Sequence, residues 1–259
     1  MTDGLALQVG YLARRSAVRT LRQPAAVVFP MLFPVLLLAV NSGGLRSETQ
    51  LPGFPTTSFL SFALAVPFIQ GALFATGSAG IDIAKDIQTG FLNRLALAPM
   101  RGIALLLGEL AGVMALAVAQ ALFYLTVGVA FGVRMASGVA GAFVLLVLAA
   151  LIALAFAAFG AFAALRTGST EAVNSIFPVF FVFLFISSMN IPRNLMDTTW
   201  FRWCATINPV SYLIEAVRSL IITGWDARAL ALGFGFAIAL ILCGFALASA
   251  SLGERLART

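Results

Sequence analysis

The stretch that decides the fold runs from Asn174 to Leu220 and reads NSIFPVFFVFLFISSMN, then IPRNLMDTTWFRWCATINP, then VSYLIEAVRSL. The first part is apolar over a length that suits a membrane helix, and the middle part is polar. Asn208 and Pro209 are typical of a helix start, because Asn caps free amide groups and Pro suits the first turn. The stretch therefore predicts a membrane helix, a turn outside the hydrocarbon and a short second helix.

The composition predicts the same environment for the whole chain. Of its 259 residues, 61% are hydrophobic and only 10% are charged, whereas soluble domains carry roughly 25% charged residues. A membrane span needs about 20 mostly apolar residues. The fold class is therefore an all-α polytopic membrane protein in which residues 1–259 form one transmembrane domain. Its six predicted transmembrane helices cover residues 25–40, 58–81, 103–131, 139–165, 172–188 and 230–252.

Two further helical segments are predicted at the membrane surfaces. Residues 5–22 place arginines among apolar residues, which favours an N-terminal amphipathic interfacial helix over the alternative of a disordered basic tail. Residues 189–225 predict an outer re-entrant helical hairpin between spans 5 and 6. Its second helix should end near Ile222, before Gly224, and would extend only about 22 Å, too short to cross a bilayer.

The re-entrant segment contains the first group of candidate functional residues. They are Asn208, Pro209, Tyr212, Glu215 and Arg218. Glu215 and Arg218 are three residues apart, so they can pair on one helix surface. Trp200, Trp203 and Tyr212 suit the level of the lipid headgroups. The segment is either a gate for a substrate or a structural plug that anchors spans 5 and 6.

Polar residues inside the predicted spans form a second group, a possible substrate path. They are Gln70, Glu109, Gln120 and Asn174. Polar side chains within spans usually face protein or a water-filled cavity. Glu109 lies within one or two turns of Arg101 and has two interpretations. It either extends to the inner interface or pairs with an arginine there, or it contacts a cationic substrate.

The segment of residues 82–101 is the longest charged stretch between spans on the predicted inner side. Ile87, Phe91 and Leu95 recur every four residues, which permits an amphipathic helix, with Gly90 interrupting it and Pro99 ending it. It is either a solvated loop or a docking helix for a cytoplasmic partner.

The distribution of basic residues predicts the orientation. If both termini are cytoplasmic, ten of the 16 Lys and Arg residues lie on the inner side and six on the outer side. Basic residues favour the cytoplasmic side. We therefore expect a multi-pass protein of the cell membrane (inner or plasma) with both termini in the cytoplasm.

Several chemistries are not expected in this chain. It contains no histidine and two cysteines, so we expect no metal site. No G-x-x-x-x-G-K-[ST] motif is present, so the chain is not expected to bind nucleotide phosphates or to be an enzyme. The basic residues lie beside apolar runs, where lipid headgroups act on them, and do not argue for nucleic acid.

Two blocks of sequence together resemble the ABC-2 family of ATP-driven transporter permeases. The first runs from Asp86-Ile87-Gln88-Thr89-Gly90 to Leu97-Ala98-Pro99 and Arg101. The second comprises Asn174, Phe177, Pro178, Ser187, Ser188, Pro192, the Trp200/Trp203 region and Asn208-Pro209-Val210-Ser211-Tyr212 with Glu215 and Arg218. The chain is most similar to drug-export and polysaccharide- or lipid-export members, including daunorubicin-resistance type permeases.

The resemblance implies a partner set and a mechanism. Two permeases, as a homodimer or with a sister permease, would bind two P-loop ABC ATPase subunits that carry Mg-ATP. Residues 82–101 would be the ATPase-coupling element, with Asp86, Thr89, Gly90, Arg94 and Pro99 as its candidate residues. The substrate would be an amphipathic, lipid-like, drug or glycan molecule. The alternative is an ATP-independent channel or a scaffold subunit. Relatives often carry a basic residue near the start of span 3, where this chain has Glu109.

Overall fold

The computed structural model describes residues 10–15, 18, 24–90 and 102–256, and these residues form helices without strands. Residues 10–15 are helical. The helices that follow are α1 Pro24–Gly44, α2 Phe59–Ala63, α3 Ala65–Gln88, α4 Gly102–Ala130, α5 Gly138–Thr167, α6 Thr170–Phe185, α7 Thr199–Ile207, α8 Pro209–Ile222 and α9 Ala227–Leu256, with short 3-10 helices at Arg46–Gln50 and Arg193–Leu195.

Five segments within the described residues are long and apolar enough to cross a membrane. They are Val27–Gly44, Phe59–Gln88, Leu107–Ala130, Gly138–Thr167 and Ala227–Arg255. The predicted fifth span corresponds to α6, which has 16 residues and therefore extends about 24 Å, less than a hydrocarbon core of about 30 Å. The all-helical, multi-pass prediction is confirmed, whereas the count of six spans stays a prediction.

The second predicted span differs from the observed helices at both ends. The sequence predicts one helix over 58–81, but Leu64 separates α2 from α3, and α3 continues through Gln88. Thus residues 82–88, assigned from the sequence to the segment between spans, extend the spanning helix by two turns. The extension is stable because Asp86, which would otherwise be an uncompensated buried charge, has an arginine partner described below.

Helix α3 is the centre of the bundle. It packs against α1, α4, α5, α6 and α8, and most of its side chains are buried. Its closest approach is to α5, where a Cβ at Gly160 would overlap the backbone of Thr76. The small residues of the predicted fourth span therefore allow two backbones to touch, as small residues do in membrane helix pairs.

The prolines of α1 lie within a continuous helix. Pro34 has no amide hydrogen, so it leaves the carbonyl of Pro30 without its normal helical donor. The hydroxyl of Tyr124 in α4 donates to that carbonyl at 2.5 Å. A neighbouring helix thus satisfies the carbonyl that the proline frees, which is the condition for a proline inside a membrane helix.

The two ends of the bundle have different chemistry, and we refer to them as the acidic end and the tryptophan end. The acidic end contains Asp86, Glu109 and Glu254, near the end of α3, the start of α4 and the end of α9. The tryptophan end contains Trp200, Trp203 and Trp225, on α7 and just before α9. Helix α8 lies at the tryptophan end, packed against α2, α3, α5 and α9.

Candidate functional site

At the acidic end, Arg15 binds two buried carboxylates from different helices. Its Nη2 lies 3.0 Å from both carboxylate oxygens of Asp86, and its Nη1 lies 3.0 Å from Oε1 of Glu109. Asp86 and Glu109 are 6% and 2% exposed. Charges this deeply buried require partners, and Arg15 supplies one to both.

In this structure Glu109 has an arginine partner, and its contact with a cationic substrate stays a prediction. The carboxylate pairs with an arginine, as the first interpretation predicts, and the arginine lies 94 positions away in the chain. The sequence-based placement of Arg101 near Glu109 falls outside the described residues. The segment that carries Arg15 also approaches α4 closely, since a Cβ at Gly108 would overlap the side chain of Leu12.

The other predicted coupling residues end helix α3. Thr89 is its C-terminal cap, and its hydroxyl donates to the carbonyl of Lys85 at 2.9 Å. Gly90 has a φ of 69°, the left-handed conformation in which helices often end and which glycine adopts without strain. Arg94 and Pro99 lie outside the described residues. Asp86, Thr89 and Gly90 therefore fix where the helix stops and how its last turn is held.

Two more contacts join helix ends at the acidic end. The side-chain amide of Gln88 donates to the carbonyl of Gly168 at 3.2 Å, and the guanidinium of Arg255 donates to the carbonyl of Leu165 at 3.0 Å. The ends of α3 and α9 are thus both tied to the end of α5.

Among the described residues, the possible path residues have different surroundings. Gln70 is 1% exposed and its side-chain oxygen has no hydrogen-bond partner among the described residues. Gln120 and Tyr124 line a cavity of about 10 Å³, room for about one water molecule and far less than a small-molecule site of about 300 Å³ or more. Asn174 is exposed near the start of α6. A substrate path through these residues stays a prediction.

At the tryptophan end, Asn208 caps two helices at once. Its side-chain oxygen accepts from the amide of Val210 at 3.0 Å, which caps the start of α8. Its side-chain amide donates to the carbonyls of Phe183 at 2.5 Å and Ile186 at 2.6 Å, at the end of α6. The Asn-Pro helix start predicted from the sequence is confirmed, with Pro209 in the first turn, and Asn208 additionally fastens α8 to α6.

Serines next to this cap add a second connection. The amide of Ser188 donates to the hydroxyl of Ser211 at 3.2 Å, and the hydroxyl of Ser188 donates to the carbonyl of Ser211 at 3.4 Å. Ser187 and Ser188 are 2% and 0% exposed. Ser188 and Asn208 therefore form a hydrogen-bonded joint between the end of α6 and the start of α8, while the hydroxyl of Ser187 donates to the carbonyl of Leu184 within the end of α6.

The far end of α8 is fastened in the same way. The hydroxyl of Ser137 donates to the carbonyl of Leu220 at 2.7 Å, and the amide of Ala136 donates to the carbonyl of Ile221 at 3.0 Å. Gly224, with a φ of 93°, ends the helix as predicted. Both ends of α8 are thus bound by neighbouring segments, and its role as a gate or a structural plug stays a prediction.

The predicted pair of Glu215 with Arg218 is replaced by a different pair. Arg193 binds Glu215 with two hydrogen bonds, Nε to Oε1 at 2.7 Å and Nη2 to Oε2 at 2.5 Å. The guanidinium also lies 4.3 Å from the ring centre of Tyr212, which stacks on Phe236 with centroids 4.6 Å apart. Arg193 has the stronger geometry, because a bidentate guanidinium–carboxylate pair fixes both side chains.

The electrostatics of Arg193 reflect two opposing effects. Its partial burial acts to lower the pKa of the guanidinium, whereas the hydrogen bonds and negative charge of Glu215 act to raise it. The net result is a pKa above the ordinary value. Arg193 therefore stays charged across the physiological range.

Arg218 points into the protein and binds backbone. Its Nε donates to the carbonyl of Phe62 at 3.2 Å and its Nη2 to the carbonyl of Met189 at 3.0 Å. The guanidinium lies 3.5 Å from the ring centre of Phe62. Both carbonyls lie where helical bonding is interrupted, at the α2–α3 break and after α6. Arg218 thus supplies donors that the broken helices lack.

The sequence indicates where these charged residues lie along the chain but not which residues bind them. The sequence places Arg15 in the interfacial helix and Arg193 in the polar turn, and in the structure each binds a carboxylate from another segment. A buried acid does signal that a cation must be near. It does not signal which of 16 basic residues supplies it. Within the described ranges, no group of three or more Asp, Glu or Cys residues could hold a metal ion.

Comparison with known proteins identifies the family. The model of the ABC-2 type transporter family matches residues 7–222, so it covers the segment containing Arg15, the Asp86 block and all of α8. No curated protein matches the chain significantly. The match extends over most of the length and includes both blocks of sequence on which the resemblance rests. This chain belongs to the ABC-2 type transporter family and is a multi-pass membrane permease.

Proposed function

We propose that the chain is the membrane subunit of an ATP-driven exporter. The observation that carries this proposal is the family match over residues 7–222, because it includes the predicted coupling segment as well as the segment between α6 and α9. ATP hydrolysis would take place on a separate P-loop ABC ATPase that binds Mg-ATP. The permease would act as a pair, with a second copy or with a sister permease.

The ion pairs of Arg15 support a mechanical role for the acidic end. Arg15 connects the N-terminal helical segment to the last turn of α3 and to the start of α4. The predicted coupling segment, residues 82–101, includes the last two turns of α3 and precedes α4 in the chain. A displacement of that segment by an ATPase would therefore move α3, and α3 contacts α1, α4, α5, α6 and α8.

The orientation follows from the same assignment. If the acidic end faces the ATPase, it lies in the cytoplasm together with both termini, as the distribution of basic residues predicts. The tryptophan end then faces the outside of the cell membrane. Helix α6 and the residues that follow it would form a sixth crossing of the membrane. Residues 189–225 would form the outer segment, in which α8 is the helix held at both ends.

The substrate class is proposed as amphipathic: a lipid-like molecule, a drug or a glycan carrier taken from the cytoplasm or the inner leaflet. The small cavity beside Gln120 and Tyr124 cannot hold such a molecule in this conformation. Transport would therefore need either a path between two permeases or an opening of the bundle.

The experiment that tests the proposal is purification of the full chain from its native membrane in mild detergent, with identification of what co-purifies. We expect one ABC ATPase per permease, and ATP hydrolysis by the complex but none by the permease alone. A permease that purifies alone, and that stimulates no ABC ATPase from the same cells, would contradict the proposal and favour a channel or a scaffold.

A further inference from the structure

Helix α7 has three faces of different chemistry. At 3.6 residues per turn, Trp200, Trp203, Cys204 and Ile207 fall within an arc of about 100°. Within this arc, Trp200, Trp203 and Ile207 are 64%, 68% and 62% exposed. Phe201 and Ala205 occupy a second arc, and they are half-buried and fully buried against the protein. The third arc, again exposed, is polar and contains Thr199, Arg202 and Thr206.

A helix with three such faces can contact three different environments. One arc packs on the protein, one is polar and suits water or phosphate groups, and one is apolar and has no protein cover among the described residues. Two exposed tryptophans on one arc are unfavourable in water. They are favourable at the headgroup boundary, where an indole ring finds both apolar groups and hydrogen-bond partners.

The attachments of α7 place it at a membrane boundary. Its C-terminal neighbour, Asn208, is hydrogen-bonded to the carbonyls that end the apolar helix α6. The third tryptophan of the chain, Trp225, is 57% exposed and precedes the first residue of α9, Ala227, by two positions. Helix α9 is long and apolar enough to span, so Trp225 lies at the same boundary by an independent route.

We propose that α7 and Trp225 form a lipid anchor at the tryptophan end. The apolar arc of Trp200, Trp203 and Ile207 contacts the upper acyl chains of that leaflet, and Arg202 faces the lipid phosphates. The ligand class is the glycerophospholipid headgroup boundary. A second permease copy is the less favoured partner of this apolar surface. Helix α7 and Trp225 belong to different elements, and what they have in common is that both lie at the same end of the spans. The inference does not depend on transport or on an ATPase.

The chain offers a direct optical test, because its three tryptophans all lie in this anchor. The full-length protein is reconstituted in phosphatidylcholine vesicles that contain phosphatidylcholine brominated at different acyl positions. We expect bromine near the headgroup to quench the tryptophan fluorescence at least twofold more than bromine near the bilayer centre. Aqueous acrylamide should quench it weakly.

A matched pair of variants resolves the orientation of α7. Trp200, Trp203 and Trp225 are replaced by Phe, and a single tryptophan is then introduced by Ile207→Trp or by Thr206→Trp. These positions are adjacent in the chain, but they lie on the apolar and polar arcs respectively. Brominated lipid should quench the Ile207→Trp protein severalfold more than the Thr206→Trp protein, and acrylamide should show the reverse order.

Two results would overturn the anchor. If acrylamide quenches the native tryptophans strongly and brominated lipid does not, α7 stands in water. If neither reagent quenches them, another protein surface covers the arc, and a second copy of the chain becomes the occupant. The native protein gives both readings, so poor folding of a variant does not leave the question open.

Discussion

Both ends of the bundle contain side chains that bind backbone carbonyls at helix ends, but the two ends differ in how they accommodate buried charge. At the acidic end, one arginine side chain binds two carboxylates from two other segments. At the tryptophan end, Asn208, Ser137 and Arg218 bind backbone carbonyls at helix termini and helix breaks. Side-chain ion pairs can exchange partners when helices shift, whereas a cap on a helix terminus stays with that terminus. Buried charge at the acidic end is thus neutralised by an ion pair that can exchange partners, whereas the buried cation Arg218 at the tryptophan end is bound to carbonyls of neighbouring segments.

The largest effect is expected from removing the shared arginine. Arg15→Ala leaves two buried carboxylates without this partner and should lower the free energy of unfolding by about 3 kcal/mol, the low end for a broken buried pair, because the Arg15 side chain is itself 34% exposed. Equilibrium unfolding in mixed detergent micelles measures this change.

The neighbouring Arg14 provides a matched control for that experiment. Arg14 is exposed on the same helical segment, and Arg14→Ala removes the same charge and the same side-chain length. Equal losses in the Arg14→Ala and Arg15→Ala proteins would mean that general basicity, and not the ion pairs with Asp86 and Glu109, stabilises the acidic end.

A somewhat smaller effect is expected at the joint of the tryptophan end. Asn208→Ala removes a helix cap and two donors to carbonyls, and it should cost about 2 kcal/mol. Asn208→Asp keeps the acceptor for the amide of Val210 but places a negative charge against the carbonyls of Phe183 and Ile186, so it should be no more stable than Asn208→Ala. Thermal unfolding of both variants measures this.

The exposed Asn174 on α6 is the control for the joint. Asn174→Ala should change the unfolding temperature little. If Asn208→Asp unfolds like the native protein, the two donor bonds to α6 do not stabilise the joint, and α8 is held by its own cap and packing alone.

The smallest effect concerns the one ion pair described at the tryptophan end. A double-mutant cycle with Arg193→Gln and Glu215→Gln should give a coupling energy of about 1 kcal/mol, because these side chains are 23% and 27% exposed and solvent weakens their attraction. The corresponding cycle with Arg218→Gln and Glu215→Gln should give a smaller coupling. The opposite order would restore the pairing of Glu215 with Arg218 that the sequence predicts.

The helices themselves were largely predictable. The predicted span 139–165 differs from α5, Gly138–Thr167, by one or two residues at each end, because a long apolar run stops where polar residues and glycine begin. The start of α8 is equally predictable from the sequence, because Asn followed by Pro is a local signal. The sequence does not predict the break at Leu64, because the residues around it are apolar. A break at that position depends on which hydrogen-bond donors and acceptors lie nearby in the folded protein.

The segment of residues 82–101 illustrates the opposite case. The sequence ends the second span at residue 81 and predicts a separate loop or docking helix over residues 82–101, yet α3 continues to Gln88. A helix can carry Asp86 into the protein only if a cation arrives from elsewhere, and Arg15 comes from 71 positions away. No local pattern around Asp86 contains that information.

The sequence by itself determined the class of environment, the approximate helices, the family and the caps that neighbouring residues provide, because hydropathy, turn residues and capping act over a few positions. Only the tertiary structure decided which arginine neutralises Asp86 and Glu109, that Arg193 and not Arg218 binds Glu215, and that Asn208 fastens α8 to α6. These pairings depend on which helices are adjacent, since charges and hydrogen bonds act across space at distances of about 3 Å whatever the separation along the chain.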